Sequence, residues 1–294
     1  MPGTARGPAG RGPAVIARAA ATALGRRVER AERIAGGDLN TAWRLELEGG
    51  ARAFVKARDG AAPGEYAAEA AGLRWLGEAG GLRVPEVLAA ERGFLVLEWL
   101  DERPLDPEAF GRGLALTHAA GAAAFGTPPP GAPDETFRLG PLALPAATAP
   151  DWPALYGAHR LAPLLRLAAD RGAIGAGGVA AVREVIDRLP ALCGPAEPPA
   201  RVHGDLWAGN AIGPAAVIDP AAHGGHRELD LAMLRLFGAP DPRLFAAYAE
   251  AHPPAAGHEA RVPLFQLLPL LVHAVLFGGG YGASAERAAR AALR

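Results

Sequence analysis

The stretches VHGDLWAGN (residues 202–210) and AAVIDP (residues 215–220) place three oxygen-bearing side chains in close succession. Asp205 lies in a His-Gly-Asp loop, Asn210 follows it, and Asp219 comes directly after a short apolar strand. In phosphoryl transfer, one carboxylate orients a hydroxyl and accepts its proton, while an amide oxygen and a second carboxylate hold Mg²⁺ on the nucleotide phosphates. An isolated Asp or Asn more often caps its own backbone in a turn. The complete string favours the phosphoryl-transfer interpretation.

A second signal is Lys56 in AFVKAR. The sequence has 30 lysine and arginine residues in all, and Lys56 is the only lysine among them. Because nearly all positively charged residues are arginine, the one lysine suggests a position where the planar guanidinium group of arginine does not fit. Chance survival of one lysine is the alternative, and this stretch alone does not decide between the two.

Composition excludes several classes of protein. The net charge of −1 argues against a nucleic-acid-binding protein that works through a basic face. The single cysteine, Cys193, cannot form an internal disulfide or a cysteine-based zinc site, which favours a cytoplasmic location. The apolar stretch 264–280 is short for a membrane span and contains Gln266, Pro269 and His273, so it predicts a buried helix and no membrane partner.

The elements that position these residues change in character along the chain. An amphipathic helix is expected to end near Gly25, and residues 33–56 alternate polar and apolar residues as two or three antiparallel strands do. Residues 64–80 have helical spacing, and two further strands joined at Arg92-Gly93 follow. After Pro104 the sequence becomes rich in Ala and Leu with helical periodicity. The sequence therefore predicts an α+β protein with an N-terminal sheet and helix and a mainly helical remainder.

Together these motifs resemble the fructosamine kinase (ketosamine kinase) family, a branch of the aminoglycoside-phosphotransferase and protein-kinase-like fold. The pattern HGDxxxGN alone would identify only the broad phosphotransferase superfamily. Trp207 within it, the string GHRELDLAM and the late LFGGGY make the resemblance more specific. GGDLNTAWRLEL, FVKAR, VPEVL and FLVLEWL agree with it, and the similarity runs from about residue 14 to the end.

The resemblance implies a two-lobed kinase-like fold that binds ATP in its cleft. The N-terminal lobe would span residues 1–100, with an antiparallel sheet and a helix, and the helical C-terminal lobe would span residues 101–294. Lys56 would contact the α- and β-phosphates of ATP, and Glu69 on the next helix would be its carboxylate partner. Glu65 and Glu78 are the nearest competitors, and without the family Glu69 would equally be a solvated helical residue.

The resemblance also implies main-chain contacts to the nucleotide. The loop AGGDLN would cover the phosphates with the N–H groups of Gly36 and Gly37, although two adjacent glycines are most often just a hairpin turn. VLEWL is similar to the hinge between the lobes, where Glu98 and Leu100 would contact adenine through main-chain atoms.

In the catalytic loop, the resemblance implies that Asp205 is the base or orienter of the acceptor hydroxyl and that Asn210 and Asp219 bind Mg²⁺. His203 is expected to hold the loop by hydrogen bonds. Asp230, early in a helix, is expected to brace the loop backbone.

The acceptor side is less well defined by sequence. Trp207 offers an aromatic wall for a sugar or its amine substituent, with core packing as the alternative. His223 and His226 flank two glycines, and nothing in the sequence decides whether they approach the substrate. The segment GTPPPGAPDETFRLGPL departs from the family pattern, so acceptor preference is expected to differ if it contacts the acceptor. The phosphate loop lacks the cysteine that some eukaryotic relatives carry, so no redox-linked dimer is expected.

The activity implied by the resemblance is ATP- and Mg²⁺-dependent phosphorylation of the 3-hydroxyl of a ketoamine, a fructosamine or ribulosamine adduct, which destabilises the adduct and returns the free amine. The partners would be ATP and a glycated small amine or protein lysine, without nucleic acid or membrane. Two alternatives stay open: a kinase for an aminoglycoside, choline-like or homoserine-like hydroxyl, and a non-catalytic nucleotide-binding module. The sequence does not choose the sugar, nor between a monomer and a weak homodimer, and it assigns no role to Cys193.

Overall fold

The computed structural model describes residues 12–35, 40–133, 136–238 and 240–294. The strands of this part are β1 (Val28–Ile34), β2 (Thr41–Leu47), β3 (Arg52–Ala57), β4 (Val87–Glu91), β5 (Phe94–Glu98), β6 (Thr136–Leu139), β7 (Leu142–Pro145), β8 (Ala200–Val202), β9 (Ala211–Ile212), β10 (Ala216–Val217) and β11 (His223–Gly225). The α-helices are α1 (Pro13–Leu24), α2 (Glu65–Glu78), α3 (Pro107–Ala119), α4 (Trp152–Tyr156), α5 (Ala162–Asp170), α6 (Ala176–Leu192), α7 (Glu228–Leu234), α8 (Pro242–Ala251), α9 (His258–Phe265), α10 (Leu267–Phe277) and α11 (Tyr281–Ala292).

Strands β1 to β5 form an antiparallel sheet in the order β1-β2-β3-β5-β4, which places β3 at its centre. Lys56 on β3 lies opposite Ala42 of β2 and Leu95 of β5. The sheet begins at Val28 and not near residue 33 as predicted, because β1 is an edge strand whose mostly polar residues carry little hydrophobic alternation. The alternation of VERAERI is therefore a weak signal in the sequence.

Two helices cover the sheet. Helix α1 begins with Pro13, ends at Gly25 in a left-handed conformation, and buries Ile16 and Ala20 against the sheet core. Helix α2 buries Tyr66 and Leu73 against Leu95 and other residues of β5. Glu69 lies three residues after Tyr66 and four before Leu73, so it shares the buried side of α2 and its side chain is only 13% exposed.

The rest of the chain is mainly helical, as the sequence predicts, and a hairpin of β6 and β7 packs with the helices. The apolar stretch His258–Phe277 has the length and composition of a membrane-spanning helix, and 61% of that window is buried inside the fold. Helix α10 buries Leu267, Leu271 and Val275 in the main hydrophobic core. Within the described ranges this stretch is the one candidate of that kind, and a core helix accounts for it. The lobe boundary at residue 100 stays a prediction.

Helices α3 and α8 approach so closely that one position between them must be glycine. A Cβ atom on Gly111 would lie 2.1 Å from the backbone oxygen of Leu244, which cannot move as a flexible side chain can. We expect Gly111→Ala to lower the free energy of unfolding by about 2 kcal/mol because of this overpacking. Urea unfolding followed by circular dichroism measures the change. Gly175→Ala is the matched control, since a Cβ there meets nothing within 4 Å; equal stability of the two variants would contradict the prediction.

Candidate active site

Lys56 is buried between two carboxylates that come from distant parts of the chain. Its Nζ lies 2.5 Å from Glu69 Oε2 on α2 and 2.9 Å from Asp219 Oδ1. Burial by itself would lower the pKa of Lys56, but the two carboxylates outweigh it and hold that pKa above its ordinary value. Glu65, a competitor in the sequence, instead pairs with Arg58. The structure therefore brings Lys56 together with Glu69 and presents a permanent cation to the cleft.

The loop after β8 is held from below by Asp230. One oxygen of Asp230 accepts hydrogen bonds from the backbone N–H of His203 (2.7 Å) and the other from that of Gly204 (2.9 Å). The Nε2 of His118 lies 3.1 Å from Oδ2 of Asp230, and its Nδ1 lies 2.8 Å from the hydroxyl of Tyr248. These contacts fix the buried carboxylate of Asp230. These contacts give Asp230 the bracing position that the sequence predicts.

His203 links the two loops that carry the reactive oxygens. Its Nε2 donates to the backbone oxygen of Ile218 at 2.9 Å, and its Nδ1 accepts the backbone N–H of Asp205 at 3.2 Å. Gly204 has φ +80°, and a Cβ on it would lie 2.3 Å from the backbone oxygen of Ala221. Glycine is therefore required in this turn, and His203 acts through hydrogen bonds within the protein.

Asp205 and Asn210 are joined directly. The Nδ2 of Asn210 donates to the backbone oxygen of Asp205 at 2.9 Å and lies 3.4 Å from its Oδ2. This contact fixes the amide of Asn210 so that its oxygen is directed away from Asp205. Burial, with the negative charges of Asp219 and Asp230, raises the pKa of Asp205 to about 7. A carboxyl group with such a pKa is suited to exchange a proton near neutral pH.

Asp219 adopts a backbone conformation that is uncommon for a residue with a side chain. Its φ is +56°, in the left-handed region, which Asp tolerates better than most residues. The turn directs one carboxylate oxygen to Lys56 while the side chain stays 44% exposed. Asp219 is thus the part of this cluster most open to the cleft.

One cavity of about 1360 Å³ contains most of the predicted site residues. Lys56, Glu69, Asp205, Asn210 and Asp219 all line it.

Glu98 and Leu100 also line this cavity, next to the sheet. The Glu98 side chain pairs with Arg83 at 2.5 Å, so that side chain is occupied outside any nucleotide contact. Gly36 and Gly37 lie outside the described residues.

On the acceptor side of the cavity, the two histidines that the sequence could not distinguish take different positions. His223 lines the cavity, whereas His226 lies in the core between Trp152 and Phe265. Trp207 also lines the cavity and is 39% exposed, which rules out its role as a core residue.

A family model described as Fructosamine kinase matches residues 14–294. The chain belongs to the fructosamine kinase family. A "Probable ketoamine kinase" of Thermus thermophilus is 36% identical over 250 residues, which are 84% of this chain and 87% of the relative. The crystal structure of a "putative fructosamine-3-kinase" from Thermobifida fusca is 45% identical with a TM-score of 0.89, covering 96% of this chain and 100% of that one.

More distant solved structures share the fold alone. The aminoglycoside phosphotransferase APH(4)-Ia is 16% identical with a TM-score of 0.65, over 95% of this chain and 98% of that one. These findings confirm the family and the kinase-like α+β fold that the sequence predicts. As a member of the fructosamine kinase family, the chain is a phosphotransferase whose acceptor is a hydroxyl of a sugar-amine adduct.

Residue-by-residue sequence reasoning missed part of the cavity wall of this family member. Phe237, His273, Phe277 and Tyr281 line the same cavity as Asp205. The strings that contain these residues resemble the family and predict a buried helix, but residue type alone does not mark them as part of a cavity. A usable signal was the four-residue spacing of His273 and Phe277, which is typical of one helix face, whereas Tyr281 follows three glycines and begins the next helix.

Acid sensitivity should follow from the core position of His226. Burial lowers the pKa of His226 to about 4, and the nearby Glu197 opposes this only in part. The unfolded chain, with an ordinary histidine pKa near 6.5, binds the proton first as the pH falls. This contribution to the free energy of unfolding is therefore complete above about pH 6.5 and is lost towards pH 4, about 3 kcal/mol in all.

We expect His226→Phe, which suits the neighbouring Trp152 and Phe265, to flatten this pH dependence. At neutral pH the variant should be less stable than the wild type, because the backbone N–H of Glu228 loses its contact with His226 Nδ1 at 3.3 Å. Urea unfolding between pH 4.5 and 7.5 measures both effects. His159→Phe, at an exposed histidine, is the control. A His226→Phe protein with the wild-type slope would show that His226 is not the source.

Proposed function

We propose that this chain transfers the γ-phosphoryl group of ATP to the 3-hydroxyl of a ketoamine, a fructosamine or ribulosamine adduct. The observation that carries the proposal is the Lys56 ammonium paired with Glu69 and Asp219 in the same cavity as Asp205 and Asn210. Such a cluster positions phosphates and a hydroxyl and needs no covalent intermediate.

In this proposal Lys56 binds the α- and β-phosphates with the N–H that its two ion pairs leave free, since an ammonium has three donors. Glu69 keeps Lys56 in place. The main chain of Glu98 and Leu100 contacts the adenine, and the N–H groups of Gly36 and Gly37 cover the phosphates.

Asp205 orients the acceptor hydroxyl and takes its proton, for which its raised pKa of about 7 is suited. Asp230 and His203 keep the loop in the conformation that aims Asp205, and Trp207 forms a wall for the acceptor. Catalysis is then mainly in-line positioning and charge neutralisation.

The residues present fit a magnesium ion on the nucleotide. Asp219 has one oxygen outside its contact with Lys56, and the fixed amide of Asn210 directs its oxygen away from Asp205. Mg²⁺ is usually bound by one or two carboxylates together with substrate phosphates, so Asp219, Asn210 and the phosphates would be a sufficient set of ligands. When bound there, Mg²⁺ supplies neutralisation of phosphate charge.

The charge of the cavity separates this function from the nearest alternative. A polycationic aminoglycoside requires a strongly acidic acceptor wall. Within the described part of residues 101–294, four carboxylates line the cavity, those of Asp101, Glu102, Asp205 and Asp219, and the guanidinium groups of Arg103 and Arg138 line it as well, so this wall is not strongly acidic. The presence of Lys56, Asp205, Asn210 and Asp219 together likewise disfavours a non-catalytic module.

The test is ATP consumption with Mg²⁺ against ribulosamine, fructosamine, aminoglycoside and choline acceptors, with the product mapped by phosphorus-coupled NMR. We expect turnover of a ketoamine and phosphate on its 3-hydroxyl. Turnover of another acceptor alone would keep the kinase and discard the ketoamine. ATP binding without turnover of any acceptor would favour a non-catalytic module.

We further propose a cytoplasmic location, because the single thiol, Cys193, is buried and unpaired and the fold depends on no disulfide. Burial also raises the pKa of Cys193 to about 12, so the thiol is expected to be unreactive.

A further inference from the structure

We propose that five aromatic side chains beside the catalytic loop form a subsite for the hydrocarbon arm that carries the acceptor's amine nitrogen. We call this set the aromatic basin; its members are Trp207, Phe237, His273, Phe277 and Tyr281. The inference rests on the proposed function, since it names the part of a ketoamine that this surface binds.

The rings of the aromatic basin form a continuous row. Trp207 meets Phe237 edge-on with centroids 6.2 Å apart, and Phe237 lies 4.8 Å from His273. His273 in turn lies 5.4 Å from Phe277 and 5.0 Å from Tyr281. All five rings line the cavity that contains Asp205. The row therefore begins at Trp207, two residues along the chain from the proposed catalytic carboxylate.

The start of the row is fixed against the catalytic loop. The indole of Trp207 crosses Gly209 so closely that a Cβ on Gly209 would lie 2.3 Å from Trp207 Cη2. Trp207 thus covers the loop that holds Asp205 and Asn210. In this proposal, a sugar whose hydroxyl reaches Asp205 has its amine-bearing end beyond this ring, over the aromatic basin.

The chemistry of the wall suits a hydrocarbon arm better than a sugar. The apolar residues Leu268, Val272 and Leu276 of α10, the helix that carries His273 and Phe277, line the same cavity. Sugar hydroxyls lose hydrogen bonds to water against such a surface, whereas methylene groups gain by leaving water. An ammonium group at the root of the arm is attracted by the faces of aromatic rings, Trp most of all.

His273 offers the polar contact that this ammonium needs. Its Nδ1–H donates to the backbone oxygen of Pro269 at 2.7 Å, which leaves Nε2 as a hydrogen-bond acceptor. Burial lowers the pKa of His273, so the ring stays neutral near pH 7 and does not repel an ammonium. Nε2 makes no hydrogen bond within the described residues.

The outer end of the aromatic basin is open. Phe277 is 51% exposed although it ends a helix whose other face is deeply buried. An arm of the length of a lysine side chain can therefore pass over the row and continue into solvent. This arrangement excludes a closed pocket for a small amine.

The experiment compares two ketoamines of the same sugar, one made from methylamine and one from n-hexylamine. We expect the wild-type protein to prefer the hexyl adduct by about tenfold in kcat/KM, because several methylene groups are partly removed from water. In Phe277→Ser and in Phe237→Ala this ratio should fall to about twofold. Leu116→Ser is the matched control, because Leu116 is an equally exposed apolar residue outside the cavity, and it should keep the tenfold ratio.

The outcomes separate this inference from the proposed function. Turnover of both adducts with a wild-type ratio near one, or with a tenfold ratio in both Phe variants, would overturn the aromatic basin and leave the ketoamine kinase intact. If neither adduct is phosphorylated, the proposed function fails. Calorimetric measurement of binding of the 3-deoxy hexylamine adduct then tests the aromatic basin independently of turnover. Binding that weakens in Phe277→Ser supports the basin, and equal or absent binding overturns it.

Discussion

The Asp205→Asn variant is expected to lose about 10³-fold in kcat while it still binds ATP. Asparagine has nearly the same shape and preserves the packing of the loop, but it cannot accept the proton of the acceptor hydroxyl. A positioned general base typically contributes about 10²- to 10⁴-fold. Steady-state turnover of a ketoamine gives kcat, and titration with ATP gives the dissociation constant.

The matched control for this change is Asp187→Asn, at an exposed position on α6 outside the cavity. It should behave as the wild type in both measurements. A kcat of the Asp205→Asn protein close to that of the control would remove Asp205 from its proposed role. Loss of ATP binding together with turnover would instead indicate that the variant disturbs the nucleotide site.

Lys56→Arg is expected to lower kcat/KM for ATP by about 10²-fold although the charge is unchanged. Lys56 is 5% exposed, and its ammonium lies within 3 Å of Glu69 and Asp219. A guanidinium is wider and presents its donors as a rigid fork, so it displaces a phosphate or one carboxylate. Forcing the extra volume into this packed place typically costs about 1–3 kcal/mol. Initial rates at varied ATP concentration measure the effect.

Two further variants serve as comparisons for this result: Lys56→Met removes the charge, and Arg183→Lys is the control. Lys56→Met also leaves the buried carboxylate of Glu69 without its cation, so it should be both inactive and less stable than Lys56→Arg. Arg183→Lys makes the reverse exchange at an exposed site on α6 and should change nothing. Wild-type kinetics in Lys56→Arg would mean that the single lysine survived by chance.

Local sequence determined the parts of the site that lie close together in the chain. The string from His203 to Asn210 specifies a tight turn because Gly204 needs a positive φ, and the turn holds Asp205 and Asn210 in contact. Helical spacing in α2 likewise fixes the face that buries Tyr66 and Leu73. These features depend on backbone geometry over a few residues, so they are readable without the tertiary structure.

The choice among similar candidates needed the fold. Glu65 and Glu69 are four residues apart on the same helix, and only the packing of α2 shows that Glu65 pairs with Arg58 while Glu69 reaches Lys56. His223 and His226 are separated by two glycines, yet one lines the cavity and the other enters the core. Charge and residue type are equal in each pair, so the choice of Glu69 rested on the family resemblance alone, and for the two histidines the sequence offered no choice.

The sequence by itself thus determined the family and the sheet-then-helix order, and it supplied the candidate residues of the catalytic loop, because each of these depends on short, contiguous patterns. The tertiary structure alone decided that Lys56 meets Asp219, 163 residues away, and that Trp207 continues into a row with Phe237 and His273. Contacts of this kind arise where the packing of separate elements brings side chains together. Their partners are chosen by burial and shape over the whole chain, for which no local pattern exists.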